Sequence, residues 1–273
     1  MEPPSAKLSA ANATVAYPGA LCAIIMMLDY RDRFSFNSNS HDLWEVYNSI
    51  KKYYPIGIPQ GEGGGIFFEY PGLKKLEDII IENVHNASNF KSRWKDFTNI
   101  VGRTLKKKVV GTTYGQAPSF SSHLILDINE FKNGCNFKQL HFAVSLVGNF
   151  FTIYGMDVTD IYDKEKQFTK TFRTANILTA SPFMEFKNDF EKLESLIRDR
   201  FTDFRMIPFA FGQQIINGLQ VRYSDAEVCS VHMALFDDTI QIQNNFRYTH
   251  GLMIEHTRGD IYYGLNDWKK DNS

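Results

Sequence analysis

Cys229 and His232 stand three residues apart, a separation at which a thiol nucleophile and an imidazole base would be sought. The surrounding pattern argues for a different role. Cys229, Val231, Met233 and Leu235 alternate as one apolar face, and residues three apart in a strand point to opposite sides of it. A buried structural thiol is the expectation. No Gly-x-Ser-x-Gly elbow accompanies the pair, so no local nucleophile signature is present. Catalysis would need a site assembled from distant residues. His141, Asp157, His232 and Asp237 are its candidates, for a hydrolase or nuclease-like reaction using imidazole and carboxylate as acid and base.

Other chemistries fare no better on spacing. His250 and His256, with Glu255, would need a turn to converge on a metal, and none of the seven histidines forms His-x-x-x-His or His-Glu-x-x-His. Asp157, Asp160, Asp163 and Glu165 lack the Asp-x-Asp-x-Asp-Gly rhythm of a calcium loop, and read as a solvated acidic loop that suits a basic partner. The glycines of 61–65 precede an expected strand, with no lysine after them, unlike a phosphate loop. Neither a metal nor a cofactor is expected.

Charge is the more informative signal. The chain of 273 residues carries 30 basic and 31 acidic side chains, a net charge of −1. Residues 91–108 hold seven basic residues against Asp96 alone. Lys91, Arg93, Lys95, Arg103, Lys106, Lys107 and Lys108 form this patch, with Trp94 and Phe97 among them. Basic residues interleaved with aromatics can bind nucleic acid. A helical reading instead buries the two aromatics and leaves the cations as a solvated face, or as a contact for a protein or small anion. Residues 1–139 balance at +3 and residues 140–273 at −4. A two-signed molecule favours complementary protein contacts over general nucleic-acid binding. Gln220, Arg222 and Ser224 would share the exposed face of a strand opposite Leu219, Val221 and Tyr223, a binding surface with no general base.

These residues must be positioned by ordinary globular elements. Hydrophobic residues make up 43% and charged residues 22%, which excludes disordered, collagen-like and disulfide-miniprotein classes. Cys22, Cys135 and Cys229 are odd in number and far apart, which fits a reducing, cytoplasmic setting. The apolar run 20–28 is too short to span a membrane and lacks a cleavage site, so neither an exported nor a membrane-anchored form is expected.

Helices are expected from about 42 to 54, from Pro71 through Val84, over about 90–107 and from Ser181-Pro182 to about Phe201. Asn86–Asn89 reads as a break with a new N-cap. Strands are expected at Ile66–Tyr70, Val109–Tyr114, His123–Ile128, Leu140–Val147, Phe150–Tyr154, Phe168–Leu178, Arg205–Phe211, Leu219–Tyr223, Val228–Phe236, Thr239–Gln243, Leu252–Glu255 and Ile261–Tyr263. Gly148-Asn149 suits a two-residue hairpin turn needing positive φ. Strands come in runs, so the class is α+β, a mostly antiparallel sheet with about four helices packed on it. One domain over 1–273 is expected, with a loose arm at 1–19. It could divide into lobes of about 20–132 and 137–268, with a seam at Lys132–Phe137.

The leading expectation is a non-catalytic protein-interaction domain, most concretely an immunity- or inhibitor-type antagonist of one protein partner. Its contact residues would be Arg103, Lys106, Lys107, Lys108, Asp157, Asp160, Asp163, Gln220 and Arg222. Neither nucleic acid nor membrane is expected as a partner. A homodimer is the third reading.

Overall fold

A computed structural model describes residues 44–61, 65–163, 169–179, 182, 184–226, 228–239 and 252–257. The arm at 1–19, the run 20–28, Ile261–Tyr263 and most of Thr239–Gln243 lie outside the described residues.

The N-terminal helices form where one apolar face repeats at helical spacing. Helix α1 (Trp44–Tyr53) buries Val46, Ile50 and Tyr53, and Pro55 follows its end. Tyr54, just past its end, is buried too, and Tyr47 packs half-buried against the same core. The expected strand at Ile66–Tyr70 is instead a single helical turn, α2 (Gly65–Phe68). Here the Glu69 amide bonds to the Gly65 carbonyl, so the segment meets its own backbone needs without a strand partner. Helix α3 (Pro71–Ile80) opens on proline at its first turn, where the missing amide costs nothing. Gly72 lies where α3 meets α1: a Cβ there would come within 2.4 Å of the Lys52 carbonyl oxygen and 2.9 Å of the Tyr53 Cα.

A π-helical turn, Ile81–His85, continues α3, and Asn86 then caps the next helix by accepting the Ser88 and Asn89 amides. Helix α4 (Ala87–Phe90) passes through a second π turn (Lys91–Lys95) into α5 (Asp96–Leu105). An extra residue in a turn shifts the helical phase. Trp94, Phe97, Val101 and Leu105 all end up buried, as the periodicity predicts.

Seven strands form one sheet among the described residues. Strands β1 (Lys108–Gly111), β2 (Ser119–Phe131), β3 (Gly134–Ser145), β4 (Phe150–Asp163) and β5 (Thr169–Thr179) pair in sequence order as an antiparallel meander. Helix α6 (Lys187–Arg200) follows. Strand β6 (Arg205–Met206) lies parallel to the start of β4, and β7 (Leu252–Thr257) parallel to β5. The stretch at Lys132–Phe137 sits in the β2–β3 hairpin, with Phe131 opposite Gly134, inside this continuous sheet.

Two expectations about the meander need correction. The acidic run is not a loop, since β4 extends to Asp163 and takes Asp157 and Asp160 into the ladder. Gly148 is not at positive φ; residues 146–149 connect β3 to β4. Glycine is needed there because a Cβ would sit 2.5 Å from the Phe150 ring.

Alternation divides the sheet into two faces. Phe120, Leu124, Leu140, Phe142, Val144, Phe151 and Ile153 point to one side and join Trp94, Phe97, Phe190, Leu193 and Ile197 in one core. Ala143 and Phe150 point to the other and join α1, α3 and residues 207–236 in a second core. The chain is therefore an α+β protein with helices on both faces of its sheet.

The region after α6 differs most from expectation. Arg205–Phe211 is two strand residues followed by helix α7 (Phe209–Gly212). Leu219–Tyr223 is irregular, yet its alternation is real: Leu219 and Val221 are fully buried while Arg222 is exposed. Val228–Phe236 contains helix α8 (Val231–Leu235) rather than a strand. Every residue of α8 is buried, so no period marks one exposed face. The Ser230 hydroxyl, accepting the Met233 amide, is the N-cap that tips the segment to helix.

Candidate functional site

The second face of the sheet carries a buried polar row. His123, His141 and Tyr154 are direct cross-strand neighbours on β2, β3 and β4, so their rings fall in line on one face. The two imidazoles stack at 4.8 Å between centroids and 27° between planes. His141 and Tyr154 stack at 5.2 Å and 15°. Helix α8 sets His232 edge-on to Tyr154 at 5.9 Å, and Asp237 Oδ1 lies 3.5 Å from His232 Nε2. That contact is electrostatic and too long for a good hydrogen bond. Asp237 also accepts the Thr239 amide at 3.0 Å, and His141 Nε2 meets Gln139 Oε1 at 2.8 Å.

Burial sets the electrostatics of this row. It holds His141 well below the ordinary histidine range; neighbouring His123 lowers it further, while Asp237 opposes in part. Burial also pushes Tyr154 up, helped by Asp237. For Asp237 itself burial raises the pKa, but contacts to His232 and Thr239 outweigh it and leave the carboxyl below its usual value. Cys229, on the chain just before α8, is pushed up to about 11, mainly by burial. It is a protonated thiol, as its apolar setting predicts, and not an activated nucleophile.

Three of the four scattered catalytic candidates, His141, His232 and Asp237, are thus brought together. Asp157 is not. It projects from the opposite face of the sheet and accepts from the Asn136 side-chain amide. His232 is 2% exposed, and none of these rings lines the cavities at α3, at the β2–β3 turn or beside the end of α6. Among the described residues no group of three or more histidine, cysteine, aspartate or glutamate side chains is placed to hold a metal.

The predicted contact residues fall on separate surfaces. Arg103 is exposed on α5, its Nε reaching the Asn99 carbonyl at 3.3 Å. Lys106 caps α5 in the left-handed conformation at φ 53°. Lys107 turns inward, its Nζ donating to the Leu126 carbonyl at 3.0 Å, where β2 bulges between Ile125 and Asp127. Lys108 is exposed at the start of β1. Asp157 and Asp160 point to opposite sides of β4, and Asp160 is buried; Asp163 ends that strand. The Gln220 side-chain oxygen accepts the Gln60 amide, so it serves the fold.

Arg222 is different. It pairs with Glu77 of α3 at 2.7 Å, both half-exposed, at the edge of a cavity of about 420 Å³. Leu73, Leu76, Ile80 and Ile81 of the α3 segment line it, together with Tyr54 and Tyr223. The Tyr54 hydroxyl is held by the Ala234 carbonyl at 3.0 Å, and Tyr223 donates to the Met233 carbonyl. Ile81 is 52% exposed. Sequence reasoning found Arg222 and the helix from Pro71 that lines the cavity. It missed Glu77 and Ile81, which share the helical face of Leu73 and Ile80 but stand at its exposed edge, where the apolar pattern gives no signal. Scanned against family models, curated proteins and solved structures, the chain matches none.

Proposed function

We propose that the chain is a non-catalytic protein-interaction domain that receives an apolar segment of one protein partner in the groove beside α3. The observation that carries this is the groove itself. Its lining is mostly apolar, Ile81 stands exposed at its edge, and its rim bears the Arg222–Glu77 pair. Apolar centres with polar rims are the common anatomy of protein contacts. A rim with both signs of charge suits a partner that answers with its own pair. In its most concrete form the domain is an antagonist of the inhibitor or immunity type, acting by occupation. The described cysteines, Cys135 and Cys229, are unbridged, which supports a reducing, cytoplasmic setting. No helix among the described residues is long and apolar enough to cross a membrane.

The test compares wild type with Ile81→Glu and Arg222→Glu as immobilised baits, with thermal unfolding as a folding control. One stoichiometric protein retained by wild type, and lost from both folded variants, supports the groove. Retention unchanged in both would remove it.

A second reading rests on the gathering of His141, His232 and Asp237. Imidazole and carboxylate side by side are the groups that general acid–base hydrolysis uses. A screen of phosphate and carboxylic esters decides it: turnover abolished by His232→Ala in a protein that still folds would favour an enzyme.

A further inference from the structure

A different cavity, of about 350 Å³, opens at the end of the core beneath α4–α6. Phe120 and Val144 of the sheet form its buried floor, and Leu146, Phe201 and Phe204 stand around it half-buried. Arg93 and Arg200 are its charged lining residues; no acidic side chain lines it. We propose that this cavity is a binding site for a small amphipathic anion, a carboxylate or phosphate monoester carried on an apolar body.

The arginines are the reason. Each is held by a neutral oxygen. Arg93 donates to the Asn83 side-chain carbonyl, and Asn83 is itself buried and fixed by donating to the Ile79 carbonyl at 2.7 Å. Arg200 donates from Nη2 to the Ser92 carbonyl at 3.1 Å, the residue next to Arg93. Among the described residues neither guanidinium makes an ion pair. Oriented donors with unneutralised charge are what an anion site requires, and a guanidinium presents a fork that matches carboxylate and phosphate. Lys91 and Lys95 on the same turn are exposed and add to the positive field that draws an anion in. Apart from Ser145, the rest of the lining is aromatic and aliphatic, so a bare inorganic anion would leave it unfilled. Its volume lies at the small end of ligand pockets, which run about 300–1,000 Å³.

The arrangement depends on the π turns. Asn83 belongs to the first and Arg93 to the second. Such turns often mark functional positions in helices. The site is independent of the α3 groove and survives or falls without it.

The test titrates the full chain with octanoate and phenyl phosphate, using octanol and inorganic phosphate as controls, by calorimetry and tryptophan fluorescence. Trp94 stacks on the floor residue Phe120 at 5.5 Å and 12°, so an occupant should change its emission. The expected result is saturable binding of at least one amphipathic anion, at least tenfold tighter than octanol and than phosphate. Arg93→Gln and Arg200→Gln should each weaken it about tenfold, and both arginines are exposed, so the fold should tolerate them. Lysine at either position should restore part of the loss. Absence of saturation below 10 mM for both probes would overturn the proposal. So would octanol binding as tightly as octanoate, or anion binding unchanged in the double glutamine variant.

Discussion

At the scale of single residues, the buried ring row explains why histidines without motif spacing are nonetheless placed together. His123 and His141 lie at cross-strand positions that register aligns, and helix α8 adds His232. His141 has the clearest consequence. Its folded pKa is depressed, so below the unfolded value of about 6.5 the unfolded chain binds more protons than the folded one. Stability is therefore full above about pH 6.5 and falls as pH drops toward the folded value. Asp237, also depressed, adds a second loss, below about pH 4. Urea titrations from pH 7.5 to 4 should show the first decline, and His141→Phe should flatten it. An unchanged slope in that variant would assign the decline to other groups.

At the scale of elements, local chemistry decides where helices begin and end. Asn86 and Ser230 cap helices with their side chains, and Pro71 opens one. Lys106 ends α5 in a left-handed conformation, which costs a non-glycine residue about 1 kcal/mol. Lys106→Gly should therefore stabilise the protein by about 0.5–1 kcal/mol, seen as a rise in the urea midpoint at constant slope. A fall would mean that the lysine charge at the helix end outweighs the strain. The basic patch is also resolved at this scale. Lys107 binds a bulge carbonyl and Lys106 closes a helix, so part of the patch works for the fold.

At the scale of the whole molecule, the sheet separates two cores and two surfaces. The buried polar row and the α3 groove belong to one side, and the arginine-lined cavity to the other. An encounter guided by the Arg222–Glu77 rim should have an association rate that falls as salt rises, with the dissociation rate little changed. Stopped-flow measurement against the captured partner at 50 and 500 mM salt checks this. A dissociation rate carrying the whole salt effect would place the charges inside the contact, not around it.

The amphipathic helices, the β3–β4 hairpin and the α+β class were legible in the residues, because periodicity is a local property; the length of β2 and β4 and the pairing of the meander were not. The α8 region was not, since a segment buried on all sides has no period to read. Nor was Ile66–Phe68, where a strand-like composition lacked a strand to pair with. His141, His232 and Asp237 could be named as a scattered set, but Asp157 could not be separated from them, because sheet face depends on register. The paired role of Arg93 and Arg200 needed the packing of α6 against the π turn, over 100 residues away in sequence. Sequence by itself determined which segments must bury apolar surface and, where a single apolar face repeats, how they fold locally. Tertiary structure alone decided which polar residues meet, because that depends on strand register and helix phase, and both are settled only when the layers pack.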